Sequence, residues 1–247
     1  MKSLLCKSAL IIASLACVGA AQANVIDFEE ALSSPFLTYA PSPVFGHGDE
    51  FYQGEYWIDP FSNSPAAQFG DLVGALVDGT DIANTCLITC PGNNTSHFFA
   101  SLNDGALALG GMIAGHTFKV KGFDASFIGA QGAVLPAVAG LLRLQGHLAD
   151  GSGSLTQTYQ LPGPDQAGNL DFFSYQAAGA FADAEFDYMY VYGFSCNSVG
   201  SCAAFQTDQG QFAIDNINLT SNVPEPAGLA LVAMALAAAG VTRRRKA

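Results

Sequence analysis

Apolar and polar residues alternate with a period of two over many short segments of this chain. The pattern is clear in Phe118–Lys121 and in Leu142–Leu148, where apolar side chains point one way and polar side chains the other. Short alternating segments separated by Gly-rich turns are typical of antiparallel β-sheet. The other predicted strands are Val25–Phe28, Glu55–Ile58, Leu72–Val77, His97–Leu102, Leu155–Leu161, Leu170–Tyr175 and Phe186–Phe194. Only Ala177–Ala184 suggests helical turns.

Two segments carry additional information about which side chains face the core. In the segment 186–194, Phe186, Tyr188, Tyr190, Tyr192 and Phe194 fall on one face, opposite Asp187, Met189 and Val191. In Gln211–Leu219, the apolar parity changes at Asp215-Asn216, between Phe212 and Ile214 on one side and Ile217 and Leu219 on the other. Such a change indicates a β-bulge or a strand buried on both faces.

These patterns predict an all-β domain over residues 24–221, folded as an antiparallel β-sandwich. Its length suits one domain with a substantial core. The early segment Ile26–Glu29 and the late segment Phe212–Leu219 look like the opening and closing strands of jelly-roll modules. In those folds the terminal strands commonly lie side by side, so we expect the same pairing here.

Residues 1–23 have the character of a secretory signal peptide. Lys2 and Lys7 precede an apolar stretch over Ala9–Ala21, and Ala21-Gln22-Ala23 provides a small-x-small cleavage site before Asn24. Leu15-Ala16-Cys17 offers a weaker lipoprotein alternative. The sequence therefore predicts export.

The carboxyl-terminal tail over residues 222–247 combines three ordered features. Pro224-Glu225-Pro226 precedes an uncharged apolar stretch over 227–242, and a basic end over 243–246 contains Arg243, Arg244 and Arg245. The apolar stretch predicts a transmembrane helix, and the basic end predicts a cytoplasmic terminus. A plain membrane anchor would have the same helix, but it gives no reason for two prolines flanking a glutamate.

This tail resembles the PEP-CTERM sorting signal of exopolysaccharide-producing Gram-negative bacteria. The resemblance implies that an exosortase recognises the tail at the inner membrane and releases the body to the cell surface or the medium. Gln211-Phe212-x-x-Asp215 also resembles the QFxxD motif of a PEP-CTERM subgroup. Neither resemblance implies a known activity.

Removal of both ends leaves a strongly acidic body. The whole chain has a net charge of −12, whereas the body keeps only Lys119, Lys121 and Arg143 against 20 acidic residues, a charge near −17. Such a charge repels phosphate backbones, so nucleic acid is not expected as a partner.

Four cysteines remain in the body, and an even number in an exported chain favours disulfides. Of three possible pairings, sequence proximity favours Cys86–Cys90 and Cys196–Cys202. A four-thiolate zinc site is the alternative.

Two candidate sites follow from the predicted fold. If the terminal strands are neighbours, Asp27, Glu29 and Asp215 converge and form a site for structural Ca²⁺. Alternatively, Asp215 accepts hydrogen bonds at the bulge while the other two face water.

The second candidate site is a ligand-binding group beside several carboxylates, made up of Tyr52, Tyr56 and Trp57. The alternative is that these rings pack in the core.

The sequence does not predict an enzyme. It contains no G-x-S-x-G motif, and its four histidines lack the spacing of a metal site. The predicted function is a non-catalytic structural or adhesive role in exopolysaccharide or biofilm. A carbohydrate-binding module is the alternative, followed by a glycoside hydrolase.

Overall fold

The computed structural model describes residues 22–29, 38–39, 43–86, 88–130, 132–206 and 209–222. Two short helices are present in these ranges, α1 (Ile82–Thr85) and α2 (Gly179–Asp183). The strands are β1 (Gln22–Ile26), β2 (Thr38–Tyr39), β3 (Pro43–Gly46), β4 (Phe51–Gln53), β5 (Tyr56–Ser62), β6 (Leu72–Asp78), β7 (His97–Ser101), β8 (Gly105–Gly111), β9 (Thr117–Phe127), β10 (Val138–Leu148), β11 (Ser154–Pro162), β12 (Phe173–Gln176), β13 (Phe186–Cys196), β14 (Cys202–Ala203) and β15 (Phe212–Asn222).

The strands form one curled sheet whose two halves are the layers of a sandwich. The first layer runs β2-β3-β6-β7-β15-β9, with β12 paired to β9 and β1 paired to β15. The second layer runs β4-β5-β8-β13-β10-β11, with β14 paired to β13. The layers join where Phe118 of β9 pairs with Phe186 of β13.

One apolar core fills the space between the layers. Phe45, Phe99 and Phe212 enter it from the first layer, and Leu107 and Met189 enter it from the second. All five side chains are completely buried. Since both layers contribute to the same cluster, the predicted all-β antiparallel sandwich is confirmed, and a jelly-roll connectivity stays a prediction.

Strand β15 confirms the change of parity at Asp215-Asn216. Phe212 and Ile214 before this point and Ile217 after it all lie in the core. Asn216 has a φ of 49°, the left-handed conformation typical of a bulge residue. The bulge therefore returns the apolar side chains of the second half of β15 to the core. The predicted pairing of the first and last strands, β1 with β15, is also confirmed.

Strand β13 differs from its sequence pattern at one end. Met189 and Val191 face the core, and Phe186 lies in the same core instead of beside the tyrosines. The reason is a shift of register between β13 and β10, where His147 pairs with Tyr188 but Leu148 pairs with Phe186. Phe186 therefore does not share the face of Tyr188, as the alternation predicted.

Both predicted disulfides, Cys86–Cys90 and Cys196–Cys202, are present. This finding excludes the zinc alternative. Cys86 and Cys90 also pack against a second, smaller core around Val77 and Phe98 on the outer side of the first layer. The first disulfide loop therefore covers apolar residues that would otherwise face solvent.

The predicted signal peptide and sorting tail lie outside the described residues, apart from Gln22, Ala23 and Asn222. Among the described residues, no helix is long and apolar enough to cross a membrane. Residues Ala23–Ser221 form one compact unit.

The packing of Phe186 gives a first test of the fold. A Cβ atom added to Gly146 would come within 2.3 Å of the Phe186 ring. We expect Gly146→Ala to lower the free energy of unfolding by ~1–3 kcal/mol, because overpacked cores force side chains from their rotamers. Urea denaturation measures this change. Gly92→Ala is the matched control, since a Cβ there contacts nothing within 4 Å. Equal stabilities of the two variants would contradict the packing described.

Candidate functional site

On the outer side of the second layer, three adjacent strands place small residues between two rows of larger ones. Strand β8 lies between β5 and β13. We define the aromatic face by the outward residues of these strands: Trp57, Asp59 and Phe61 of β5, Ala106, Ala108 and Gly110 of β8, and Tyr188, Tyr190 and Tyr192 of β13.

The strand register aligns these residues in three rows across the sheet. Gly110 pairs with both Trp57 and Tyr188, and Ala108 pairs with both Asp59 and Tyr190. Ala106 pairs in the same way with Phe61 and Tyr192. Because adjacent strands lie ~4.8 Å apart, the backbones of β5 and β13 are separated by about 10 Å. The rows therefore form a trough whose floor of glycine and alanine is covered by the flanking rings, with Ala106 and Ala108 only 1% and 5% exposed.

Side chains of β10 hold the tyrosines of β13 from the far side. His147 stacks on Tyr188 with ring centroids 4.2 Å apart and an interplanar angle of 13°. The hydroxyl of Tyr192 donates a hydrogen bond to Gln145 Oε1 at 3.3 Å. These contacts restrict the tyrosine rotamers, so the wall of the trough is preorganised.

Two rings lean over the floor and divide the trough. The indole of Trp57 lies directly over Gly110, where an added Cβ would be 2.6 Å from Cζ2. Phe61 and Tyr190 meet edge to face, with centroids 5.6 Å apart. On either side of this pair is a hollow. The first hollow, of about 520 Å³, is lined by Glu50, Tyr52, Trp57, Asp59 and Met112. The second hollow, of about 320 Å³, is lined by Phe61, Asn63, Gln145, Tyr190, Tyr192 and Phe205.

The first hollow combines two aromatic rings with two carboxylates. Tyr52 of β4 pairs directly with Trp57 of β5. The Tyr52 side chain is 40% exposed, and its hydroxyl donates a hydrogen bond to Glu50 Oε1. This hollow therefore offers an accessible ring, a half-buried indole and acceptor oxygens to a ligand.

Asp59 is the carboxylate most affected by this environment. Burial first, and the nearby charge of Glu50 second, raise its pKa to about 6. Asp59 Oδ1 is buried and has no hydrogen-bond partner among the described residues. A buried acceptor without a hydrogen bond destabilises the fold, because nothing replaces the hydrogen bonds that it made to water.

The structure brings two of the three predicted ligand-binding residues together. Tyr52 and Trp57 line the first hollow, but Tyr56 is only 1% exposed and packs edge to face against Phe118 in the core. The prediction for Tyr56 was therefore wrong, because alternation along β5 turns residue 56 inward when residue 57 faces outward. Asp59, Met112 and the β13 tyrosines were not predicted as part of the site.

The three carboxylates proposed for calcium bind separate partners. Asp27 accepts a hydrogen bond from Gln53 at 2.6 Å, and Glu29 lies 2.9 Å from His97 Nδ1. Asp215 accepts hydrogen bonds from Asn94 at 2.8 Å and from Ser96 at 2.9 Å. Within the described ranges, no three His, Cys, Asp or Glu side chains are grouped so as to hold a metal ion. The predicted Asp27, Glu29 and Asp215 site is corrected accordingly, and Asp215 instead accepts hydrogen bonds at the bulge.

No family model matches this sequence, and no curated protein matches it. Among solved structures, a DUF4465 family protein from Bacteroides ovatus is similar over 82% of this chain and 99% of its own, with 11% identity and a TM-score of 0.40. A cyclase from Fischerella sp. TAU is similar over 83% of this chain and 100% of its own, with 11% identity and a TM-score of 0.37. TmCBM61 in complex with beta-1,4-galactotriose is similar over 68% of this chain and 88% of its own, with 8% identity and a TM-score of 0.31. These superpositions are too loose to support a function.

The raised pKa of Asp59 makes stability depend on pH. Between its ordinary value of 3.8 and about 6, the folded protein binds this proton more tightly than the unfolded chain does. Stability contributed by Asp59 is therefore lost as pH rises through this window. One pKa unit is worth ~1.4 kcal/mol, but Asp59 is only partly buried, so solvent screening reduces the loss to about 1–2 kcal/mol. Urea denaturation at several pH values should show that Asp59→Asn removes this loss.

Asp165→Asn is the control for this measurement. Hydrogen bonds from Asn169 and Ala167 lower the pKa of exposed Asp165, so its contribution has the opposite sign. Identical pH profiles for wild type and Asp59→Asn would contradict the burial of Asp59.

Proposed function

We propose that this chain is an exported, non-catalytic protein of the extracellular matrix that binds polysaccharide along the aromatic face. The observation that carries the proposal is the three-row register, which sets rings on both sides of a glycine and alanine floor. The two hollows on either side of the Phe61 and Tyr190 pair offer two separate positions to the residues of one polymer.

The chemistry of the aromatic face suits sugars. A pyranose ring presents C–H groups on its faces and hydroxyls around its edge. Trp57 and Tyr52 offer rings to the faces, while Asn63 and Gln145 offer amides to the hydroxyls. Apolar walls with a few well-placed polar groups are the usual composition of a ligand site.

A structural or adhesive role in exopolysaccharide or biofilm follows from such binding. The two disulfides support a protein that works in an oxidising compartment outside the cytoplasm. The acidic body adds solubility in that setting.

A glycoside hydrolase is the second candidate, favoured by one observation. Glu50 and Asp59 lie in the same hollow, and the raised pKa of Asp59 is a property of catalytic acids. Release of reducing sugar from a bound polymer, and its loss in Asp59→Asn, would establish catalysis and overturn the non-catalytic role.

We further propose that an exosortase processes the tail at Pro224-Glu225-Pro226 before the body reaches the surface. The support is the order of the three features in residues 222–247, together with the predicted signal peptide at residues 1–23. The inner membrane is then a transient location, and the surface or medium is the final one.

The binding proposal is tested with immobilised polysaccharides. We expect the protein to be retarded in affinity gels containing a neutral or amine-bearing glycan. Trp57→Ala should weaken this binding at least ~5-fold, because removing a central aromatic ring from an interface often costs more than ~1 kcal/mol. Phe69→Ala is the control, since this ring is 76% exposed and lies outside both hollows. No retardation by any glycan would overturn the proposal.

The processing proposal is tested in an exosortase-containing host. We expect Glu225→Ala to leave full-length protein in the inner membrane, because the recognised peptide has lost its carboxylate. Fractionation followed by mass spectrometry of the carboxyl terminus measures the result. The control is Glu185→Ala, which changes a carboxylate in the body. Normal release of the Glu225→Ala protein would contradict the assignment of the tail.

A further inference from the structure

We propose that the first hollow binds the protonated amine of an amino sugar, so that the preferred polysaccharide is cationic. This inference rests on the proposed function and specifies its ligand class. The first hollow would hold one glucosamine-type residue, while the rest of the trough holds the neighbouring residues of the same polymer.

The rings of the first hollow suit a cation. Tyr52 and Trp57 are cross-strand partners that line the same space. An ammonium group over the face of tryptophan or tyrosine is attracted by the ring quadrupole, and most strongly by tryptophan. Met112, which is 51% exposed, adds a polarizable group at the edge of the same hollow.

The charges around the first hollow are also those that a cation requires. Glu50 and Asp59 line it, and the charges of Glu50 and Asp49 both act on Asp59. His47 and Tyr190 are the other titratable groups that interact with Asp59. Arg143 lies with Phe194 on β10 and β13, at 4.7 Å from that ring, and takes no part in the first hollow. An anionic polysaccharide would therefore be repelled here.

The unpaired oxygen of Asp59 independently indicates that this hollow accepts a hydrogen-bond donor. Its Oδ1 atom is buried with no hydrogen-bond partner among the described residues. An ammonium donor would satisfy this acceptor and offset the repulsion from Glu50, whereas a second acceptor would not.

The second hollow lacks this negative character. Its lining consists of Phe61, Asn63, Gln145, Tyr190, Tyr192 and Phe205, with no carboxylate among them. Amides and hydroxyls bind neutral sugar hydroxyls or acetamides equally well. The aromatic face therefore distinguishes a charged residue at one end from a neutral residue at the other.

Matched oligosaccharides test the inference on the full-length protein. Glucosamine hexamer and N-acetylglucosamine hexamer have the same backbone and differ in charge, and cellohexaose serves as the neutral reference. Trp57 is the only tryptophan, so its fluorescence reports binding at the first hollow. At pH 7 we expect the glucosamine hexamer to bind about tenfold more tightly than the acetylated hexamer, with the preference reduced by salt.

Three variants assign this preference to the first hollow. Asp59→Asn and Glu50→Gln should each reduce the preference for the glucosamine hexamer severalfold. Glu50 is an exposed residue, so its variant avoids any change in a buried group. Asp187→Asn removes an exposed carboxylate outside both hollows and should keep the full preference.

The outcomes separate this inference from the proposed function. Equal binding of the two hexamers, or a preference unchanged in both Asp59→Asn and Glu50→Gln, would overturn the inference and leave polysaccharide binding intact. Equal binding of pentalysine and the glucosamine hexamer would show a general cation site and overturn the sugar assignment. Failure of all three oligosaccharides and of the affinity gels would overturn both proposals.

Discussion

The burial of one side of β5, β8 and β13 is the constraint on which the aromatic face depends. Ile58, Leu107 and Met189 are fixed in the core, so the residues before and after each of them must point outward. A shift of one residue in any of these strands would expose the core residues and bury the rings. The free energy of core packing therefore also determines the order of the outward side chains.

Local alternation was sufficient to predict the sandwich and the bulge in β15, and the proximity of the cysteines in the sequence was sufficient to predict the disulfides. Alternation failed for β8, whose Gly105–Gly111 sequence is nearly all apolar and contains three glycines and two alanines. Glycine and alanine are both unfavourable in strands. In addition, a strand that is covered on both faces shows no alternation of apolar and polar residues. The floor of the trough was for this reason absent from the sequence prediction.

The site itself was predictable only in its local part. Tyr52 and Trp57 are five residues apart in the sequence and meet through a short hairpin, so their association follows from sequence proximity. Tyr190 reaches the same face through pairing between β13 and β8, which joins residues about 80 positions apart. Sequence alternation identifies neither partner strands nor their register. The raised pKa of Asp59 likewise depends on groups from separate strands and loops.

The composition of the floor has an evolutionary consequence. Gly110, Ala108 and Ala106 have almost no side chain to remove, so most substitutions there add volume. A valine or serine at one of these positions would displace the rings that cover the floor and so reshape the hollows beside it, while leaving the inner packing of β8 unchanged. Related chains with the same sandwich would then diverge in ligand preference through single changes on this central strand, without redesign of the surrounding walls.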